Sequence, residues 1–312
     1  MRVPTTPPRI GYRHEALFYS GPAEFRTGVL PFIRAGIAGG EPTLVLVSGE
    51  KTTLLRAELG PEADWVSFAD VDSIGQNPAR IIAAWRTFAR RNPGVNLRGV
   101  GEPITVHQSA DELAECQLHE ALLNIAFDDG TPLWLLCPYD LAALSADVID
   151  NAHRTHPHTL HGTEHTRSSR YLAPDPAEVL NRELPAAPVD ALRFIFNAAC
   201  LGTIRELVNA QAHLAGLTGD RVGDLIVAVN ELATNTVEHA GGSGTLRIWT
   251  DDQCLICEIA DGGTIHEPLA GRVPPSLTGG GGRGLWIANQ LCDLLQIQSS
   301  TAGSAIRVRM HL

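Results

Sequence analysis

Residues 219–242 read GDRVGDLIVAVNELATNTVEHAGG, a pattern that predicts a helix with one buried face and a line of polar groups on another. Apolar residues recur at three- and four-residue spacing, at Val222, Leu225, Ile226, Val229, Leu232, Ala233 and Val237. Three polar residues recur every four positions: Glu231, Asn235 and His239. Gly241 and Gly242 suit the left-handed backbone that ends a helix. Because a solvated helix face has the same pattern, this helix alone does not establish a site.

Two glycine-bearing segments follow this helix. Asp261 ends a predicted strand and precedes Gly262 and Gly263, which let the backbone approach a ligand closely. Residues 279–285 read GGGGRGL and lead into an amphipathic helix, whose free N–H groups and dipole favour phosphate. The three segments together predict a nucleotide site.

These segments resemble the N, first-glycine and second-glycine boxes of the Bergerat fold, found in the histidine-kinase-like ATPase superfamily. Residues 188–312 are most similar to the anti-sigma-factor serine kinases, in which an early helix carries an arginine, here Arg205. That family also has a glycine-rich turn before the last strand, here Thr301 to Ser304. The resemblance implies an α+β sandwich, homodimers, and an ATP-dependent serine/threonine kinase that regulates transcription. Its implied protein partners are a sigma factor and an anti-sigma-factor antagonist.

The resemblance also implies residue roles. Asn235 offers its amide oxygen to Mg²⁺, and Glu231 orients or deprotonates the attacking hydroxyl. Asp261 accepts a hydrogen bond from the adenine amino group, at the position where guanine presents a carbonyl. The other expected ATP contacts are His239, Gly263, Gly282, Arg283, Gly284 and Leu285. Residues 264–281 are expected to form a mobile lid, although Ile265 replaces a glycine that is common in the first glycine box.

Other functions stay open at this point. A binding module could use ATP or ADP only as a conformational effector, without phosphotransfer. An atypical sensor histidine kinase needs an exposed histidine on a dimerisation helix, whereas a proline-broken segment precedes the ATPase region here. A ligand-responsive scaffold with a degenerate ATPase domain is the third alternative, and Ile265 is the feature that favours it.

The first half of the chain alternates strand and helix patterns, which predicts an α/β domain with a largely parallel sheet. The segments from His14 to Tyr19 and from Cys137 to Asp140 resemble the MEDS sensory domain of methanogen and methylotroph regulators. That resemblance implies sensing of a small organic ligand. The ligand-site candidates are His14, Tyr19, Tyr139 and Asp140, with a packing role equally open for His14 and Tyr19.

These patterns divide the chain into a sensory domain over residues 11–158, a linker over 159–187 and an ATPase domain over 188–312. The linker is expected because four prolines interrupt a polar stretch, at Pro174, Pro176, Pro185 and Pro188. Histidines near it could bind metal or be solvated, namely those at 153, 156, 158, 161 and 165. Residues 48–52 read SGEKT and lack the glycine that a phosphate loop places before its lysine.

The charge and the distribution of apolar residues limit the classes of partner that are expected for this chain. The net charge is −11 over 312 residues and no basic stripe occurs, so direct nucleic-acid binding is not expected. No run of 18 apolar residues predicts a membrane span, and a cytoplasmic location is expected. Six scattered cysteines predict reduced thiols.

Overall fold

The computed structural model describes residues 11–74, 77–128, 130–251, 253–275 and 282–312. Contacts divide the chain into two compact units. The first comprises residues 1–75 and 84–174, and the second comprises residues 76–83 and 175–312.

The first unit is built on a seven-stranded sheet in the order β3-β2-β4-β5-β1-β6-β7. Its strands are β1 Arg13–Tyr19, β2 Thr43–Val47, β3 Val66–Asp70, β4 Leu97–Gly101, β5 Leu133–Asp140, β6 His158–His161 and β7 Glu164–Arg167. Every neighbouring pair is parallel except β6 with β7. The largely parallel α/β fold predicted from the sequence is therefore confirmed.

Helices connect these strands: α1 Gly21–Gly39, α2 Gly49–Leu59, α3 Val71–Ile74, α4 Ala79–Arg91, α5 Ala110–Ala126 and α6 Ala146–Thr155. Helix α5 begins at Ser109, whose hydroxyl accepts from the Glu112 N–H while the Glu112 carboxylate accepts from the Ser109 N–H. This reciprocal cap fixes where α5 starts and hence which of its residues face the sheet.

Strands β1 and β5 pair in parallel, with His14 opposite Leu135 and Tyr19 opposite Asp140. Because side chains alternate along a strand, His14 and Cys137 point to one face of the sheet and Tyr19 points to the other. Strands β1 and β5 thus place candidate functional residues on both faces of the sheet.

The second unit is an antiparallel five-stranded sheet, β11-β12-β10-β9-β8, covered by helices. Its elements are β8 Leu192–Asn197, α7 Leu201–Ala215, α8 Asp220–His239, β9 Ser243–Thr250, β10 Cys254–Asp261, α9 Arg283–Leu291, β11 Leu294–Ser300 and β12 Gly303–His311. One apolar core lies between α7, α8 and α9 and the sheet. The predicted α+β sandwich is confirmed.

Two details differ from the sequence prediction. The spacing of apolar residues over 190–215 predicts one continuous helix, but residues 192–197 form β8, whose Phe196 faces the core at 1% exposure. Parts of the expected linker also belong to the two units. Strands β6 and β7 extend the first sheet, while Leu180 lies in the second unit's core and its carbonyl accepts from the Ser299 N–H at 2.9 Å.

Among the described residues, the helices are too short or too polar to cross a membrane. The six cysteines are free thiols, and five of them are buried.

Candidate functional site

Helix α8 carries Glu231 and Asn235 one turn apart, both half-buried, above a face that packs into the core. Gly284 lies against both residues. A Cβ at that position would be 2.7 Å from Asn235 Nδ2 and 3.1 Å from Glu231 Oε2. The first turn of α9 therefore approaches the carboxylate and the amide so closely that an added Cβ would require the Asn235 side chain to move.

Asp261, at the end of β10, is held from two sides. The Thr236 hydroxyl donates to Asp261 Oδ2 at 2.6 Å, and the Gly263 N–H donates to Oδ1 at 2.9 Å. Gly263 itself packs against Ala240, where a Cβ would be 2.7 Å from the Ala240 Cβ. The half-buried carboxylate is thus oriented beside the end of α8.

Residues distant in sequence support this strand end. The Ser304 hydroxyl donates to the Gly263 carbonyl at 2.8 Å and also contacts the Ser299 hydroxyl at 2.8 Å. Gly303 has a φ of 131° and lies so close to the Asp261 carbonyl that no side chain would fit there. Thr236 and Ser304 were not identified from the sequence, although Thr236 directly follows Asn235 and the glycine turn before β12 was recognised.

The remaining predicted ATP contacts lie in different environments. Gly282 has a φ of 81° and precedes α9, while Arg283 is exposed. Leu285 is buried and belongs to the core, so packing is its structural role. His239 is exposed at the end of α8, and Arg205 donates to the Asn230 side chain at 2.9 Å.

The described part of the expected lid, residues 264–275, is anchored to the sheet. The Thr264 hydroxyl donates to the Ser300 carbonyl at 3.1 Å, and the Ile265 N–H donates to the Ser299 hydroxyl at 2.8 Å. Ile265 packs against the core, and Leu269 is buried. The rest of the expected lid, residues 276–281, lies outside the described residues.

In the first unit, Tyr19 and Asp140 line a cavity of about 450 Å³ at the carboxyl ends of β1 and β5. Its other lining residues are Pro22, Phe25, Glu50, Lys51, Thr53 and Leu54. The carboxyl edge of a parallel sheet is where ligands bind in open α/β folds. The structure thus brings two of the four predicted sensory residues together.

Lys51 is the cationic group of this cavity. Its ammonium donates to the two Glu102 oxygens at 2.5 and 2.7 Å, and the Tyr19 hydroxyl donates to Glu102 at 2.8 Å. Burial raises the pKa of Glu102, and the Lys51 charge opposes that rise. The lysine of the SGEKT segment is therefore engaged by a buried carboxylate.

His14 and Tyr139, the other two sensory candidates, lie away from this cavity at 1% and 2% exposure. They face the side of the sheet that α5 and α6 cover. The histidines expected in a linker are also placed in folded elements: His156 is fully buried after α6, and His165 of β7 contacts Glu15 at 2.8 Å.

Two models of known protein families match the chain, one in each half. The family model described as the methanogen/methylotroph, DcmR sensory domain (MEDS) matches residues 13–157. The model of the histidine kinase-like ATPase domain matches residues 196–310. Both family resemblances stated from the sequence are thereby confirmed.

Comparison with whole proteins adds little. No curated protein matches the chain significantly. A solved structure of the RsbU and RsbW domains of Rv1364c from Mycobacterium tuberculosis aligns at 17% identity and a TM-score of 0.30. The alignment covers 40% of this chain and 33% of that chain, so this chain spans about a third of its length.

Proposed function

We propose that this chain, which carries a MEDS sensory domain followed by a histidine kinase-like ATPase domain, is a cytoplasmic serine/threonine kinase of the anti-sigma-factor type. In this proposal the first domain senses a small organic ligand and the second phosphorylates an antagonist protein and binds a sigma factor. The two family matches by themselves support a less specific statement, that the chain is a regulator of the kinase-like ATPase kind.

The contact of Gly284 with Glu231 and Asn235 carries the proposal. Carboxylate and amide oxygens are hard ligands of the kind that Mg²⁺ prefers, and the backbone at the start of α9 offers N–H groups to phosphate. Because position 284 is a glycine, the first turn of α9 brings its backbone directly beside both groups. A carboxylate, an amide and a helix N-terminus next to one another are the groups that a magnesium nucleotide would use.

Within that site each residue has a distinct task. Asn235 would hold the metal through its amide oxygen, and Glu231, one turn earlier, would accept the proton of the attacking hydroxyl. Asp261 keeps acceptor capacity beyond its bonds to Thr236 and Gly263, and adenine recognition would use it. Bound magnesium ATP supplies the transferable phosphoryl group with its charge neutralised.

Nucleotide binding is tested on the full chain by titrating ATP and ADP with and without Mg²⁺ and following the melting temperature. A nucleotide at 100 times its Kd should stabilise the folded chain by about 2.7 kcal/mol. Asn235→Ala should lose the Mg²⁺-dependent part, while Asn209→Ala, on the exposed face of α7, should retain it. Absence of stabilisation by either nucleotide would leave the second domain a protein-binding scaffold.

Phosphotransfer is tested with Glu231→Gln, which preserves size and removes the base. Loss of a general base lowers turnover by about 10²–10⁴-fold, whereas nucleotide stabilisation should remain. The readout is transfer of labelled phosphate to proteins of the host extract. Acid-stable label that is lost in Glu231→Gln supports the serine/threonine kinase, and acid-labile label supports a histidine kinase. Nucleotide binding without any transfer supports the effector-gated alternative.

A further inference from the structure

Four potential metal ligands meet in the interior of the first unit, from four different elements. They are His14 of β1, Glu120 of α5, Cys137 of β5 and His156 at the end of α6, and their ligand atoms all lie within 4.8 Å of one another. Each of the four residues is at most 1% exposed. This cluster lies on the opposite face of the sheet from Tyr19 and its cavity.

The distances within the cluster are short. His14 Nε2 lies 3.1 Å from Glu120 Oε2 and 3.4 Å from Cys137 Sγ, and His156 Nε2 lies 3.2 Å from the same Glu120 oxygen. In a tetrahedral zinc site, metal–ligand bonds of about 2.0–2.3 Å place neighbouring ligand atoms about 3.3–3.6 Å apart. These three pairs are therefore already near the spacing of a zinc coordination shell, and all four ligand atoms lie within 4.8 Å of one another.

Outer hydrogen bonds orient both imidazoles. The Asn124 amide donates to the Thr155 carbonyl at 2.7 Å, which leaves its oxygen as the acceptor 3.1 Å from His14 Nδ1. His156 Nδ1 lies 2.9 Å from the Ala152 carbonyl, which can only accept. Both rings thus carry their proton on Nδ1, and each directs the lone pair of Nε2 into the cluster.

In this arrangement the lone pairs of both imidazoles face the Glu120 carboxylate. Among the described residues, neither His156 Nε2 nor Glu120 Oε1 has a hydrogen-bond donor, although both atoms are completely buried. A cation bound between the imidazoles and the carboxylate would satisfy these buried lone pairs.

We propose that His14, Glu120, Cys137 and His156 bind one Zn²⁺ ion in the interior of the sensory domain. Two imidazoles, a thiolate and a carboxylate are ligands that zinc accepts in tetrahedral geometry. Binding displaces the proton of the Cys137 thiol, and the dication is then neutralised by the thiolate and the carboxylate. A neutral, fully ligated ion is the form that an apolar interior tolerates at least cost.

The ion joins elements that are far apart in sequence. It bridges the central strands β1 and β5 to α5 and to the end of α6, so its binding stabilises the packing of both helices on one face of the sheet. Because four protein ligands complete the shell, the site is structural in type. This inference concerns only the first unit and does not depend on the proposed kinase activity.

Metal content and spectra of the full chain test the site. The chain purified with zinc should hold about one Zn²⁺, and Co²⁺ should replace it with visible tetrahedral bands and a near-ultraviolet thiolate-to-cobalt band. Cys137→Ser should abolish the thiolate band, while Cys116→Ser, at another buried cysteine of the same unit, should keep it. A thiolate band that persists in Cys137→Ser would overturn the assignment.

The hydrogen bond that His14 Nδ1 donates to the Asn124 oxygen provides a second, milder test. Losing an outer partner of a ligating histidine typically lowers metal affinity by about 10–100-fold, so Asn124→Ala should bind zinc more weakly but at the same stoichiometry. Chelation should also lower the melting temperature of the wild type and leave that of Cys137→Ser unchanged. Folded wild-type chain that binds neither Zn²⁺ nor Co²⁺ would refute the proposal without any variant.

Discussion

The lack of a side chain at Gly284 determines what lies next to Glu231 and Asn235. Helix α8 would present Glu231 and Asn235 in any amphipathic helix with this spacing, but access to them depends on what packs opposite. At position 284 the absence of a side chain leaves backbone facing the carboxylate and the amide. If these groups bind nucleotide as proposed, the missing side chain at position 284 matters as much as the polar groups.

The substitution Gly284→Ala should therefore weaken magnesium nucleotide binding by at least tenfold, because its Cβ would be 2.7 Å from Asn235 Nδ2. The measurement is the Kd for ATP in the presence of Mg²⁺. Gly223→Ala is the matched control, since this exposed glycine of α8 has nothing within 4 Å of the added carbon. That variant should bind normally and gain up to about 1 kcal/mol of stability. Equal affinity in both variants would contradict the close approach.

The local structure around the proposed site could be predicted from the sequence where spacing along one element carries the information. Glu231 and Asn235 share a helix, and Asp261 ends a strand, so their local positions follow from periodicity. The bond from Thr236 to Asp261 and the pairing of Lys51 with Glu102 join separate elements. Such contacts depend on tertiary packing that a single sequence does not specify.

At the scale of elements, the boundary between the units was the hardest feature to predict. Prolines and polar residues over 159–187 are typical of a linker, yet β6 and β7 complete one sheet and Leu180 enters the core of the other unit. Short edge strands and single anchoring residues produce little periodicity in the sequence, so they are difficult to predict from it. The alternation of Leu192, Phe194 and Phe196 was a strand signal that the following helical pattern obscured.

Leu180 is expected to stabilise the second unit, although it lies in a segment without regular secondary structure. Leu180→Ala is expected to destabilise the second unit by about 2–4 kcal/mol, because the side chain is 4% exposed within the core. Hydrogen exchange of β11 measures this, since the Ser299 N–H donates to the Leu180 carbonyl. Leu172→Ala, at a leucine 62% exposed, should change stability by less than about 0.5 kcal/mol. Similar hydrogen-exchange protection of β11 in both variants would indicate that the segment around Leu180 is only a linker.

At the scale of the whole molecule, the sensory domain separates two tasks on the two faces of its sheet. One face holds the proposed zinc ion among buried ligands, and the other opens into the cavity that Tyr19, Lys51 and Asp140 line. A rigid metal-bound face would give the central strands a fixed frame. Because α1 and α2 supply most of the cavity lining, a ligand bound there would contact these two helices directly.

If the cavity controls the ATPase domain, filling it should change turnover in the full chain. Leu54→Trp places an indole where a ligand would lie, and an allosteric coupling of 1–3 kcal/mol corresponds to a change of about 5–150-fold. The measurement is ATP turnover at saturating nucleotide. Leu141→Trp, at a leucine 45% exposed that is absent from the cavity lining, controls for the added bulk. Unchanged turnover in a folded Leu54→Trp chain would mean that this cavity does not govern the ATPase domain. Altered turnover in that variant alone would identify the cavity as the regulatory site and justify a ligand search with ATP turnover as the readout.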